Sequence, residues 1–128
     1  MKMVIGGAYQ GKLQWAREHF KDLSIDTWID GETCEMEDIF CCGGIYHFHQ
    51  YIERLMESSC ETRLQFVQLL IEKNPQIIII TDEIGYGIVP LDKKEREYRE
   101  FVGRVCTALA KESDEVYRVI CGIGSRLK

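Results

Sequence analysis

Gly6, Gly7, Gly11 and Lys12 lie in the run GGAYQGK, directly after the apolar residues Met3, Val4 and Ile5. From Gly6 to Lys12 the spacing is G-x-x-x-x-G-K, the pattern of a loop that wraps a polyphosphate. Glycines let the backbone turn tightly and bring its N–H groups close to an anion. A helix starting there adds roughly half a positive charge, and a lysine ammonium reaches the β- and γ-phosphates. Gly6, Gly7, Ala8, Tyr9, Gln10, Gly11, Lys12 and Leu13 are therefore the candidate nucleotide-binding residues, with Lys12 the candidate catalytic cation. Leu13 departs from the pattern, because Ser or Thr is expected there to ligate Mg²⁺ and an isobutyl group ligates nothing. The same glycines also suit a plain strand-to-helix turn. A second pair with chemical potential is Asp82-Glu83, which follows the four isoleucines of QIIIIT. Ligands in open parallel sheets bind beyond the carboxyl ends of the strands, so Asp82 and Glu83 are candidate catalytic groups and candidate metal ligands.

These residues need elements to hold them. The apolar triplet before the loop reads as a strand, and Leu13, Ala16, Phe20 and Leu23 recur at helical spacing after it. Residues 24–29 read as a second strand, closed by the turn signal Asp30-Gly31. Glu32, Glu35, Glu37 and Asp38 crowd a segment expected to be a solvated loop or short helical turn. The apolar run 39–42 fits a buried strand or the approach to a helix. From Ile45 a helical stripe of Ile45, Phe48, Ile52, Leu55 and Met56 places His49 at the edge of the buried face and His47 nearly opposite. Packed-edge and surface histidines are the simple reading, and a covalent nucleotidyl carrier is the alternative. Ser58 with Glu61 makes a capping box that opens a helix to about Lys73, ended by Asn74-Pro75. Isoleucines on both faces of residues 77–80 indicate a central strand of a parallel sheet. Asp92 then caps the longest helix, with Tyr98, Phe101, Val102, Val105 and Leu109 inward and Arg96 or Arg99 available as phosphate clamps. The last strand spans 115–121. The fold expected is a three-layer α/β domain of the phosphate-loop NTPase kind, with a mostly parallel central sheet of four or five strands, in one domain over 1–128.

Bulk properties narrow the function classes. The chain has 128 residues, 45% of them hydrophobic, and a formal net charge of −5. A negative balance argues against non-specific nucleic-acid or anionic-membrane binding, which need a basic field. The N-terminus lacks a secretory apolar core and no apolar run approaches membrane-spanning length, so a cytoplasmic protein is expected. The six cysteines include no C-x-x-C pair, and the adjacent Cys41-Cys42 suits neither a zinc knuckle nor an easy disulfide.

With these motifs in place, the chain resembles the adenosylcobinamide kinase / adenosylcobinamide-phosphate guanylyltransferase family. The carrying residues are ITDEIGYGIVP at 80–90, similar to the family's V-T-N-E-V-G-x-G-I-V-P, then REYREFVGR at 96–104 and DEVY at 114–117. Gly6-Gly7 and Gly11-Lys12 are similar to its G-G-x-x-S-G-K-S loop. The resemblance covers residues 1–22 and 76–128. It implies phosphoryl transfer from ATP or GTP to the cobinamide hydroxyl, then guanylyl transfer through a histidine-bound intermediate, with Mg²⁺ as cofactor. It implies nucleotide and corrinoid partners and a homo-oligomer, with Glu83 near the metal or the attacking hydroxyl and Arg99 near the phosphates. The departures are Leu13, Gln10 for a serine, Asp82 for asparagine, Cys106-Thr107 for Asn-Gln, and a shortened middle that includes the region of the guanylylated histidine. Guanylyl transfer is therefore the weaker expectation. The alternative is a degenerate nucleotide-binding protein acting as regulator or partner.

Overall fold

The computed structural model describes residues 1–23, 25–85 and 87–128. Among the described residues six strands form one sheet in the order β2-β3-β4-β1-β5-β6. They are β1 (Lys2–Gly6), β2 (Trp28–Asp30), β3 (Gly44–Tyr46), β4 (Ile78–Asp82), β5 (Glu115–Ile120) and β6 (Ile123–Arg126). Every pair is parallel except β5 with β6. Among the described residues four α-helices cover it: α1 (Lys12–His19), α2 (Phe48–Leu55), α3 (Cys60–Lys73) and α4 (Lys93–Glu112). The result is the three-layer α/β arrangement expected, with more strands than the four or five anticipated.

The two sheet faces follow from the period-2 alternation of strand side chains. On one face Val4, Ile78 and Ile80 pack with Ala16 of α1 and with Phe20, which follows that helix. On the other, Met3, Ile77 and Ile79 pack with Phe48, Ile52 and Leu55 of α2, Phe66 and Leu70 of α3, and Tyr98, Val102 and Leu109 of α4. Four consecutive isoleucines are thus buried from both sides, which is why that stretch shows no alternation.

Three local expectations are corrected. The second strand is only Trp28–Asp30, and Ser24 lies outside the described residues. Its partner β3 has three residues, and the Thr27 carbonyl just before β2 caps the Gly43 and Gly44 N–H groups, so the ladder is short. Ile45 belongs to β3, not to a helix, and α2 begins at Phe48. The spacing of Ile45, Phe48 and Ile52 runs across a strand–helix junction and imitates a single helical stripe. At that junction His47 takes a left-handed conformation, φ 52°. The cap of α3 is Ser59, whose hydroxyl accepts the Thr62 N–H, in place of the Ser58–Glu61 box. Asp92 caps α4 as expected, accepting from the Lys94 N–H.

The last strand also ends one residue early, at Ile120, and turns back through Cys121-Gly122 into β6. Both turn residues have positive φ, 50° and 74°, as a two-residue hairpin demands. All six cysteines are free. Among the described residues no helix is long and apolar enough to cross a membrane.

Candidate functional site

The glycine loop leaves the carboxyl end of β1, the strand between β4 and β5. From β1 the chain passes to α1 on one face, whereas from β4 it passes to α4 on the other. The two connections part and leave a crevice at the carboxyl ends of β1 and β4, the switch point where open α/β sheets bind ligands. Gly6 and Asp82 are register partners across it.

The loop conformation depends on particular residues. A Cβ on Gly6 would run into the Val119 carbonyl oxygen of β5, so only glycine fits. Gly11 caps α1 in the left-handed region at φ 82°, where a side chain is strained. Tyr9 also has positive φ, but its ring is fully in solvent and leaves the loop open. Gln10 fastens the loop to the β5–β6 turn. Its side-chain Oε1 accepts the Cys121 N–H at 2.7 Å, and its backbone carbonyl accepts the Gly122 N–H at 2.8 Å.

Beside the loop lies a cleft of about 340 Å³, near the lower end of ligand-site volumes. Loop residues Ala8 to Leu13 line it together with Tyr46, His47, His49, Gln50, Ile80 and Asp82. Leu13 packs against the apolar cluster of the α1 face, which accounts for its presence without giving a metal ligand.

Lys12 is buried, and its ammonium sits 2.6 Å from the Gly7 carbonyl and 2.6 Å from Asp82 Oδ1. The cation is thus held between the loop and the end of β4. His49, on α2, is buried rather than at an edge. Its Nδ1 accepts the Asp82 N–H at 3.3 Å, and its Nε2 lies 3.7 Å from Asp82 Oδ2. Burial holds its pKa below the ordinary imidazole value, opposed by the Asp82 charge and aided by His47 and Lys12.

Glu83 faces elsewhere. Arg118 of β5 grips its carboxylate, Nε to Oε1 at 2.8 Å and a second nitrogen to Oε2 at 3.0 Å, and the Glu83 N–H binds the Gly6 carbonyl. Arg118 carries no motif signal, because an arginine in an edge-proximal strand reads as solvated. Arg99 sits on α4, donating to the Ile88 carbonyl and pairing with Glu95. Arg96 binds the Pro90 and Leu91 carbonyls. The cleft walls thus bring together Lys12 and Asp82 but neither Glu83 nor Arg99.

A second cluster borders the cleft. His47 Nδ1 lies 2.9 Å from Asp30 Oδ1, which also accepts the Glu32 N–H, and the ligand atoms of the three residues lie within 4.8 Å of one another. Burial alone would raise the Asp30 pKa, but the Glu32 N–H and His47 outweigh it and hold it below the usual value. The expected solvated loop at 32–38 hid this contact, because its partner comes from beyond β3.

The family model for cobinamide kinase / cobinamide phosphate guanyltransferase matches residues 24–127. The matched stretch includes the middle of the chain and begins after the glycine loop. The bifunctional adenosylcobalamin biosynthesis protein CobU of Salmonella typhimurium is 33% identical over 91 residues, 70% of this chain and 50% of the relative. Its counterpart of the same name in Escherichia coli is 31% identical over the same shares. The chain spans about half the length of these curated relatives. The matched segment, with its isoleucine strand leading into Asp82, makes the chain a member of the cobinamide kinase / cobinamide phosphate guanyltransferase family.

Proposed function

We propose that this chain is a nucleotide-dependent transferase that moves a phosphoryl group from ATP or GTP to the cobinamide hydroxyl. The observation that carries this is Lys12 held between the Gly7 carbonyl and Asp82 at the β1–β4 crevice. The loop amides and Lys12 would receive the polyphosphate. Phosphoryl transfer is mostly positioning and charge neutralisation, so a fixed ammonium at the loop is the central requirement. Mg²⁺ fits the donor set through Asp82, since this ion is commonly held by one or two carboxylates plus phosphates and water. Bound there, it would neutralise charge on the phosphates. Glu83 would act through its bond to the Gly6 carbonyl and its pair with Arg118, steadying the loop's first residue. Arg99 would stay with the 87–91 segment unless that segment closes over the nucleotide. Corrinoid and nucleotide are the partners proposed, within a cytoplasmic homo-oligomer.

A second reading is favoured by Leu13. A loop that offers an isobutyl group where a hydroxyl ligand belongs suits a protein that binds nucleotide without turnover, as a regulator or partner. Incubating the purified chain with Mg²⁺, cobinamide and ATP or GTP should yield cobinamide phosphate by mass spectrometry, and Lys12→Ala should remove it. An inert parent that gains turnover on Leu13→Thr supports the second reading. No binding of ATP, GTP or GDP at millimolar concentration would overturn both.

A further inference from the structure

We propose that His47, held by Asp30, is a catalytic base whose Nε2 takes the proton of the hydroxyl that attacks the γ-phosphate. This rests on the transferase reading above.

Strands β2, β3, β4 and β1 run parallel, so their carboxyl ends lie along one edge of the sheet. Asp30 ends β2, His47 follows β3, Asp82 ends β4, and the glycine loop leaves β1. His47 thus lines the same cleft as Lys12 and Asp82. Its Nδ1 lies 2.9 Å from Asp30 Oδ1. The Asp30 carboxyl titrates below its ordinary value, so near neutrality it only accepts, and Nδ1 is the donor. In the neutral ring the lone pair is then on Nε2. Among the described residues Nε2 has no hydrogen-bond partner, and the side chain is 46% exposed. One nitrogen fixed by a carboxylate and the other open beside a phosphate loop is the arrangement of an oriented base.

The backbone holds this pair in place before any ligand arrives. His47 occupies the N-cap of α2, yet its side chain makes no capping bond and its φ of 52° is uncommon outside glycine. Ser, Thr, Asp or Asn is the usual choice for a cap, so capping does not explain the histidine. A Cβ on Gly31, the neighbour of Asp30, would run into the His47 carbonyl oxygen, so the ends of β2 and β3 approach as closely as glycine allows. The Gly31 N–H binds the Tyr46 carbonyl at 2.8 Å, and Arg54 of α2 donates to the Gly31 carbonyl at 2.9 Å. Backbone strain of the kind seen at His47 concentrates at active sites, where the surrounding structure can hold it. His49 does not offer the same chemistry, because it is buried and its Nδ1 already accepts the Asp82 N–H.

In the step itself, the hydroxyl oxygen bonds to the γ-phosphorus as the bond from phosphorus to the β–γ bridging oxygen breaks. The electron pair of that bond leaves with the nucleoside diphosphate, beside the Lys12 ammonium. The hydroxyl proton passes to Nε2, and the resulting imidazolium stays paired with Asp30. The half-exposed ring then returns the proton to water. Positioning supplies most of a phosphoryl transfer, so the base contributes a factor of about 100.

Two substitutions separate a base from a support of the fold. His47→Gly suits the positive φ and leaves a space the size of an imidazole, whereas His47→Asn tolerates the same backbone and supplies no base. The measurements are turnover of cobinamide with Mg²⁺ and whichever of ATP and GTP the wild type uses faster, with and without added imidazole. The dissociation constant of that nucleotide is read by calorimetry on the same chains. Both His47 variants should lose about 100-fold in kcat, with nucleotide affinity within about twofold, since the loop and Lys12 are unchanged. Imidazole should restore turnover to His47→Gly and not to His47→Asn. Asp30→Asn should lose about tenfold in kcat, because an amide no longer fixes which ring nitrogen holds the proton, and imidazole should not restore it.

Turnover in the His47 variants equal to that of wild type would overturn the proposal while leaving the transferase reading intact. A loss in His47→Gly that imidazole does not restore would overturn it too, by showing that the residue serves only the backbone. A wild type that binds nucleotide and transfers nothing would overturn the transferase reading, and the base with it.

Discussion

At the scale of single residues, the loop works because a few side chains hold its backbone from outside. Gln10 makes two bonds to the β5–β6 turn, one from its side chain and one from its backbone carbonyl. Gln10→Ala removes the side-chain bond and leaves the Cys121 N–H to solvent. Nucleotide affinity should fall about five-fold, the equivalent of one net hydrogen bond of about 1 kcal/mol, with little change in melting temperature, as read by calorimetry and a thermal melt. Gly6→Ala should be far more damaging, because the Val119 carbonyl is backbone and cannot step aside. Asp30 offers a test by pH. Its folded pKa is depressed below 3.8, so its contribution to stability is present above that value and is lost as pH falls through the folded one. Between pH 5 and pH 2, on the order of the carboxylate range, the urea midpoint of wild type should therefore drop more steeply than that of Asp30→Asn.

At the scale of elements, β4 is the strand that most of the structure is built against. Ile79 is fully buried among residues of the larger helical layer. Ile79→Ala should cost about 2–5 kcal/mol, measured by urea unfolding, with the value set by how far the neighbouring helices collapse into the space. A subtler contrast lies at the start of α3. Ser59→Ala should cost about 1 kcal/mol because Ser59 accepts the Thr62 N–H, whereas Ser58→Ala should cost little. Spacing alone points to Ser58, through its box with Glu61. The chain chooses Ser59 because the Ser58 N–H is already used by the Leu55 carbonyl in the turn that ends α2.

At the scale of the whole molecule, the crevice exists because β1 and β4 send their connections to opposite faces of one sheet. A polyphosphate there would touch residues from β1, α1, β4 and, through Asp82, α2. Ligand at about 100 times its dissociation constant should stabilise the fold by about 2.7 kcal/mol, a rise of several degrees in melting temperature. Lys12→Ala should abolish that rise, a result that differential scanning fluorimetry reads directly.

The alternation-free isoleucine run, the glycine–lysine spacing and the Asp92 cap are local properties of the chain, and each carries its structural meaning in a handful of neighbouring residues. The parallel core, the loop and the long helix were legible for that reason. The pairing of Asp82 with Lys12 and His49, of Glu83 with Arg118, and of Asp30 with His47 was not, since each joins residues 17 to 70 positions apart whose separation leaves no periodic trace. Strand β3 and the β5–β6 hairpin escaped notice for a related reason. Their extended form comes from hydrogen bonds to neighbours in the sheet, so only the folded sheet distinguishes them from helix and tail.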